Sequence, residues 1–195
     1  MLKKTILSLA LLILCATISP AFGATIAGLS GWYADGDFKV YQAGGFVAFS
    51  KGRTTSSVEF LGGTVDYGGD DTTNRVDLNI ATSMRLIQSP GMSLSLFAGY
   101  KMQSFETDID FSGYGPSLGG TLSMGSLSAS YAMVRTMGGE FDGELIQIPT
   151  ISFRLSASSA PFGLMLGYRG EIFEDAAVHG GFVRGYMLAG DRKSV

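Results

Sequence analysis

Cysteine is almost missing from this chain of 195 residues, and the single one, Cys15, falls in its first apolar stretch. Neither a disulfide framework nor a thiolate metal site can be built from one cysteine. Histidine and tryptophan also occur once each, as His179 and Trp32. Positive charge is scarce: 14 Lys and Arg stand against 17 Asp and Glu. That balance speaks against nucleic acid as a partner, which calls for clustered basic residues. Long apolar runs are missing too. Beyond residue 23 the apolar residues are interleaved with polar ones, so no segment reads as a transmembrane helix, although mean hydropathy is positive at +0.25.

The one short apolar run, Ile6 to Ile13, follows Lys3 and Lys4 and precedes the small residues Ala21 and Gly23. This is the layout of a signal peptide over 1–23 with Ala24 as the new first residue. A lipid-modified Cys15 is the competing reading, and Leu14 opposes it because a small residue is expected there. The remaining segment, 24–195, has the size of one domain.

What the chain does have is alternation. From Arg75 to Leu86, Val76, Leu78, Ile80, Thr82, Met84 and Leu86 make one face, and Arg75, Asp77, Asn79, Ala81, Ser83 and Arg85 the other. A period of two is a β-strand, and twelve residues suit a tilted strand crossing a bilayer. Ten such segments are predicted, near 25–34, 38–50, 54–67, 74–88, 92–106, 114–125, 127–138, 145–158, 162–173 and 177–189. The connections alternate as well. One set is short, at 50–53, 88–91, 124–126 and 158–161. The other is mostly longer and acidic, with Asp35, Asp37, Asp70, Asp71, Asp108, Asp110, Glu140, Asp142, Glu144, Glu174 and Asp175. High hydropathy without a helical span, short turns at one end and longer loops at the other fit an antiparallel membrane barrel.

In this layout the chain resembles the small, porin-like outer-membrane β-barrel proteins of Gram-negative bacteria. The likeness covers the whole of 24–195 and rests on pattern, not on a diagnostic motif. It implies an all-β fold, an antiparallel transmembrane β-barrel of about ten strands, with eight as the alternative. It also implies an outer-membrane location, and as partners outer-membrane lipids, lipopolysaccharide and the barrel assembly machinery. Three departures stand out. The chain ends Asp191-Arg192-Lys193-Ser194-Val195 instead of in an aromatic residue, so the assembly signal is atypical or lies near Tyr186 and Leu188. Pro149 inside a strand predicts a bulge. Arg184 and Phe182 share a parity, and an Arg facing lipid at mid-bilayer costs about 2–4 kcal/mol, so Arg184 is turned inward.

The inward charges expected from parity are Glu59, Asp66, Arg75, Asp77, Arg85, Lys101, Arg154, Arg169 and Glu171. Glu59 and Asp66 differ in parity, so placing both inside needs a bulge at Gly62-Gly63. Glu59, Arg85 and Arg154 fall in the lower half, with Glu59 as the bridge between the two bases; the rest fall in the upper half. Mixed signs in a narrow lumen predict a salt-bridged plug, with a narrow polar pore as the competing reading. Trp32, Tyr33, Tyr67, Phe105, Phe111, Tyr114, Phe141 and Phe173 are expected in an aromatic girdle at the loop end, and Phe49 and Phe162 at the opposite rim.

Signals for catalysis are weak. His179 has no neighbouring serine, and is read as a rim residue. Asp108-Ile109-Asp110-Phe111-Ser112-Gly113 begins like a calcium loop, but its twelfth position is Gly119 instead of a bidentate Glu. No cofactor, metal or catalytic residue is therefore expected. The expected role is structural, surface or adhesive. A small channel for ions or solutes is the second reading and a lipid A-modifying barrel enzyme the third. A soluble barrel with inverted polarity is the alternative that alternation alone leaves open.

Overall fold

A computed structural model of the chain describes residues 24–68, 72–104, 113–138, 142–155 and 161–190. The expected signal peptide, the C-terminal residues 191–195 and Phe105, Phe111 and Phe141 lie outside the described residues. Ten strands form: β1 Ala24–Gly36, β2 Lys39–Lys51, β3 Thr54–Asp66, β4 Thr72–Ser89, β5 Met92–Ser104, β6 Gly113–Met124, β7 Leu127–Arg135, β8 Leu145–Arg154, β9 Phe162–Ile172 and β10 Ala177–Gly190. Each pairs antiparallel with its chain neighbours, and β1 closes on β10 through an unbroken register from Ala24↔Gly190 to Gly36↔Val178. The all-β barrel of ten strands is therefore the observed fold, and the eight-strand alternative is set aside.

The period of two carries through to burial. Large apolar residues of one parity are exposed, among them Leu29, Leu96, Leu118, Ile151, Leu166 and Met187. The opposite parity points into the barrel and carries Ser, Thr, Gly and charged side chains such as Arg75, Asp77, Lys101 and Glu171. A soluble barrel would show the reverse order; apolar outside and polar inside is the polarity of transmembrane barrels. Closure leaves no sheet edge unpaired. Three short turns hold a glycine in the left-handed region, Gly52 (φ 60°), Gly91 (φ 80°) and Gly125 (φ 59°), where other residues are strained.

Two expected irregularities are corrected. No bulge occurs at Gly62-Gly63: β2 and β3 stay in register from Lys39↔Asp66 to Lys51↔Thr54. Pro149 produces none either. It pairs in register with Tyr131 of β7, while the ladder to β9 is interrupted at 148–149 and resumes unshifted from Thr150↔Arg169 to Gln147↔Ile172. Proline only lacks one donor, and one interrupted rung accommodates that. The shift in register sits instead in β4, between Arg85 and Ile87.

Inward glycines make room for inward rings. Gly119 lies opposite Phe97, Gly167 opposite Phe182 and Gly163 opposite Tyr186. A Cβ at any of them would come within 2.4 Å of the facing ring.

Toward the loop end the lumen is filled by an apolar cluster of Ala34, Val40, Val65, Val134, Ile146 and Val178, joined by Phe38 and Phe173 from the connecting loops. The rings of Phe38 and Phe173 lie 5.9 Å apart. Phe173, expected in the girdle, is thus folded inward and only 5% exposed, whereas Tyr33, Tyr67 and Tyr114 are exposed.

A fluorescent label on single cysteines placed at Leu96, Leu118 and Ile151 should be quenched by a lipid-dissolved collision quencher. The same label at Ser117, Thr121 and Thr150 should not. Equal quenching of the two sets would contradict the assigned faces.

Candidate functional site: a charged lumen

Below the apolar cap lies a compact ionic cluster. Arg75 and Asp77 share the inward face of β4, two residues apart. Arg75 donates from Nε to Asp77 Oδ1 at 3.0 Å and from Nη2 to Oδ2 at 2.8 Å, a bidentate pair. Nη2 also reaches Glu171 Oε2 on β9 at 2.7 Å. Strands β4 and β9 are five places apart in either direction round the ring, so this ion pair spans the lumen at its full width. Glu171 Oε1 accepts from Lys101 Nζ of β5 at 2.8 Å and from Arg169 Nη2 at 2.6 Å. Lys101 Nζ also lies 3.7 Å from Asp77 Oδ2. Gln103, with its amide oxygen turned toward the cations, accepts from Arg75 Nη2 at 2.7 Å and Lys101 Nζ at 3.2 Å. Arg75, Asp77 and Glu171 are fully buried.

Trp32 closes one side of this cluster. Its ring lies 4.6 Å from the Arg169 guanidinium and 5.6 Å from that of Arg75. It is 4% exposed and points inward, not into a girdle. Adjacent strand residues face opposite ways, so of the pair Trp32-Tyr33 only one can face out, and here it is Tyr33.

A second ion pair lies nearer the short-turn end. Glu59 of β3 accepts from Arg184 Nη2 of β10 and, at 3.4 Å, from Asn79 Nδ2. The Arg184 guanidinium also lies 4.5 Å from the Phe46 ring. Side-chain exposure rises to 15% at Glu59 and 29% at Arg184, so this level is the more open to solvent.

The parity reasoning brings Arg75, Asp77, Lys101, Arg169 and Glu171 together and puts Glu59 in a second pair. It misplaces three residues. Asp66 has outward parity, since no bulge reverses β3, and its Oδ1 accepts from Gly68 N at 2.8 Å in the adjoining loop. Arg85 lies below the network and donates to Gln88 Oε1 at 3.0 Å. Arg154 is exposed at the end of β8. Both bases keep the expected parity but sit too near the rim to reach Glu59, whose bridge is Arg184.

Among the acidic loop residues, Asp35 Oδ1 accepts from Gly36 N (3.0 Å), Asp37 Oδ2 from Ala177 N (2.7 Å) and Asp142 Oδ1 from Gly138 N (2.7 Å). They shape the loops. Glu174 and Asp175 are exposed, Glu144 is half-buried, and Asp70, Asp71, Asp108, Asp110 and Glu140 lie outside the described residues. Among the described residues no group of three metal-ligand side chains converges.

Fold and interior together define the class: a closed antiparallel β-barrel, apolar outside, with a charged lumen. No family model matches the chain. No curated protein matches it either. Among solved structures, the N-terminal β-barrel domain of Pseudomonas aeruginosa OprF is similar at 10% identity and a TM-score of 0.38, over 86% of this chain and 98% of that one.

Glu171→Gln should cost about 3–5 kcal/mol, because it removes the charge that Arg75, Lys101 and Arg169 share; a denaturant titration measures it. In double-mutant cycles, Glu59→Gln should be non-additive with Arg184→Met and additive with Arg85→Ala. The reverse pattern would contradict the observed pairing.

Proposed function

We propose that the chain is an integral outer-membrane barrel whose role is structural, surface or adhesive, with no catalytic centre and no open pore. The observation that carries this reading is the inverted polarity: Leu29, Leu118, Phe162 and Met187 are 60–70% exposed, while Arg75, Asp77 and Glu171 are fully buried. In water that exposed belt would be an association hazard; in a bilayer it is the expected surface. The Arg75–Glu171 contact across the barrel, under an apolar cap, supports a lumen closed to ions. His179 is exposed, pairs in register with Asp35 and Gly170, and has the Tyr168 ring 5.8 Å away, so neither ladder partner is a serine. Lipid, lipopolysaccharide and the assembly machinery remain the proposed partners.

A narrow channel is the second reading. It is favoured by a cavity of about 380 Å³ in the lumen, whose mixed wall includes the hydroxyls of Ser57, Ser117, Thr121 and Thr150.

The protein should fractionate with the outer membrane, resist carbonate extraction and migrate differently on gels with and without boiling. In planar bilayers it should give little or no steady conductance. Recovery as a soluble periplasmic protein would overturn the barrel-in-membrane reading, and frequent defined openings would move the channel to first place.

A further inference from the structure

We propose that the lumen cavity is a binding site for one small organic monoanion, a carboxylate with a short apolar tail. Two independent observations carry this. The first is charge. The lumen network holds four cations, Arg75, Lys101, Arg169 and Arg184, against three carboxylates, Asp77, Glu171 and Glu59. Of the carboxylates only Glu59 lines the cavity, together with Lys101, Arg169 and Arg184, so the surplus positive charge faces that space.

The second is hydrogen bonding. Trp32 Nε1, Arg169 Nε and Arg184 Nε are buried donors with no acceptor among the described residues, and all three residues line this one cavity. Buried donors are ordinarily satisfied. Water could accept from them; an anion accepts from them and also offsets the surplus charge. The wall decides the rest. Hydroxyls of Ser30, Thr121 and Thr150 suit a carboxylate's remaining lone pairs, while Phe97, Met165 and Phe182 suit an apolar tail. The volume of about 380 Å³ exceeds what a bare halide needs.

The site contains the chain's single tryptophan, so Trp32 emission reports on it directly. The protein in detergent micelles is titrated with sodium butyrate in low-chloride buffer at ionic strength held by sodium sulfate. A saturable change is expected, with none from butanol. Arg184→Gln should weaken the response about tenfold by removing one charged donor. Ser130→Leu, which fills the cavity without altering charge, should abolish it. Ala81→Leu, three strands away on β4, is the second cavity-filling variant, and unboiled gel mobility certifies that each is folded. No saturation with butyrate, an equal response to butanol, saturation by chloride at the same concentration, or an unchanged response in the folded cavity-filling variants would each overturn the proposal. The readout is taken in micelles and concerns the lumen alone, so its outcome is separate from that of membrane fractionation.

Discussion

Glu171 holds the interior together. Its carboxylate takes Arg75 from the opposite wall, Lys101 from β5 and Arg169 from its own strand. A barrel wall is stabilised by hydrogen bonds between neighbours, which say nothing about strands that face each other across the lumen. Arg75–Glu171 is a direct tie between such strands, and it requires a lumen no wider than two extended side chains. A barrel of ten strands meets that condition; much wider barrels enclose water instead. Replacing the cluster by apolar residues could be as stable, since the desolvation of buried ions offsets much of their attraction. What the ionic arrangement adds is direction, because the bidentate Arg75–Asp77 pair holds the Arg75 guanidinium toward Glu171 across the lumen.

The sheet was largely legible in the residues, because period-two alternation is a local property and closure needs only an even number of such segments. Arg75-Val76-Asp77-Leu78 could be assigned faces without knowing its neighbours. Side-chain height was less legible. Arg85 and Arg154 have inward parity, yet reach solvent or local partners, since parity gives a face and not a depth. Asp66 was misassigned because two glycines permit a bulge without requiring one. Gly63 is instead needed in register, where a Cβ would come within 1.7 Å of the Tyr41 carbonyl oxygen.

The inward direction of Trp32 is harder to read. Aromatic residues near strand ends fit a girdle readily, and that pattern masks the alternation of Trp32 with Tyr33. The available signal was the adjacency itself, which sends one ring inward, toward Arg75 and Arg169. Phe38 and Phe173 were illegible for a different reason. Both stand in short acidic connections, where local composition predicts solvent, and only the closed lumen beneath offers them an apolar surface to cover.

These placements give the interior a direction along its axis. At the loop end Val40, Val65, Ile146 and Val178 exclude water, so the ions beneath must be matched to one another. Toward the short turns the walls become Ser and Thr, and side-chain exposure rises through Arg169 to Arg184. An unmatched charge is tolerable only where solvent or a solute can reach it. The buried layer accordingly matches Arg75 and Lys101 against Asp77 and Glu171, and the one surplus cation falls among Arg169, Arg184 and Glu59, where side-chain exposure rises. The apolar cap and the surplus charge are thus two consequences of one arrangement: sealing one end of the lumen fixes the end at which charge can remain available.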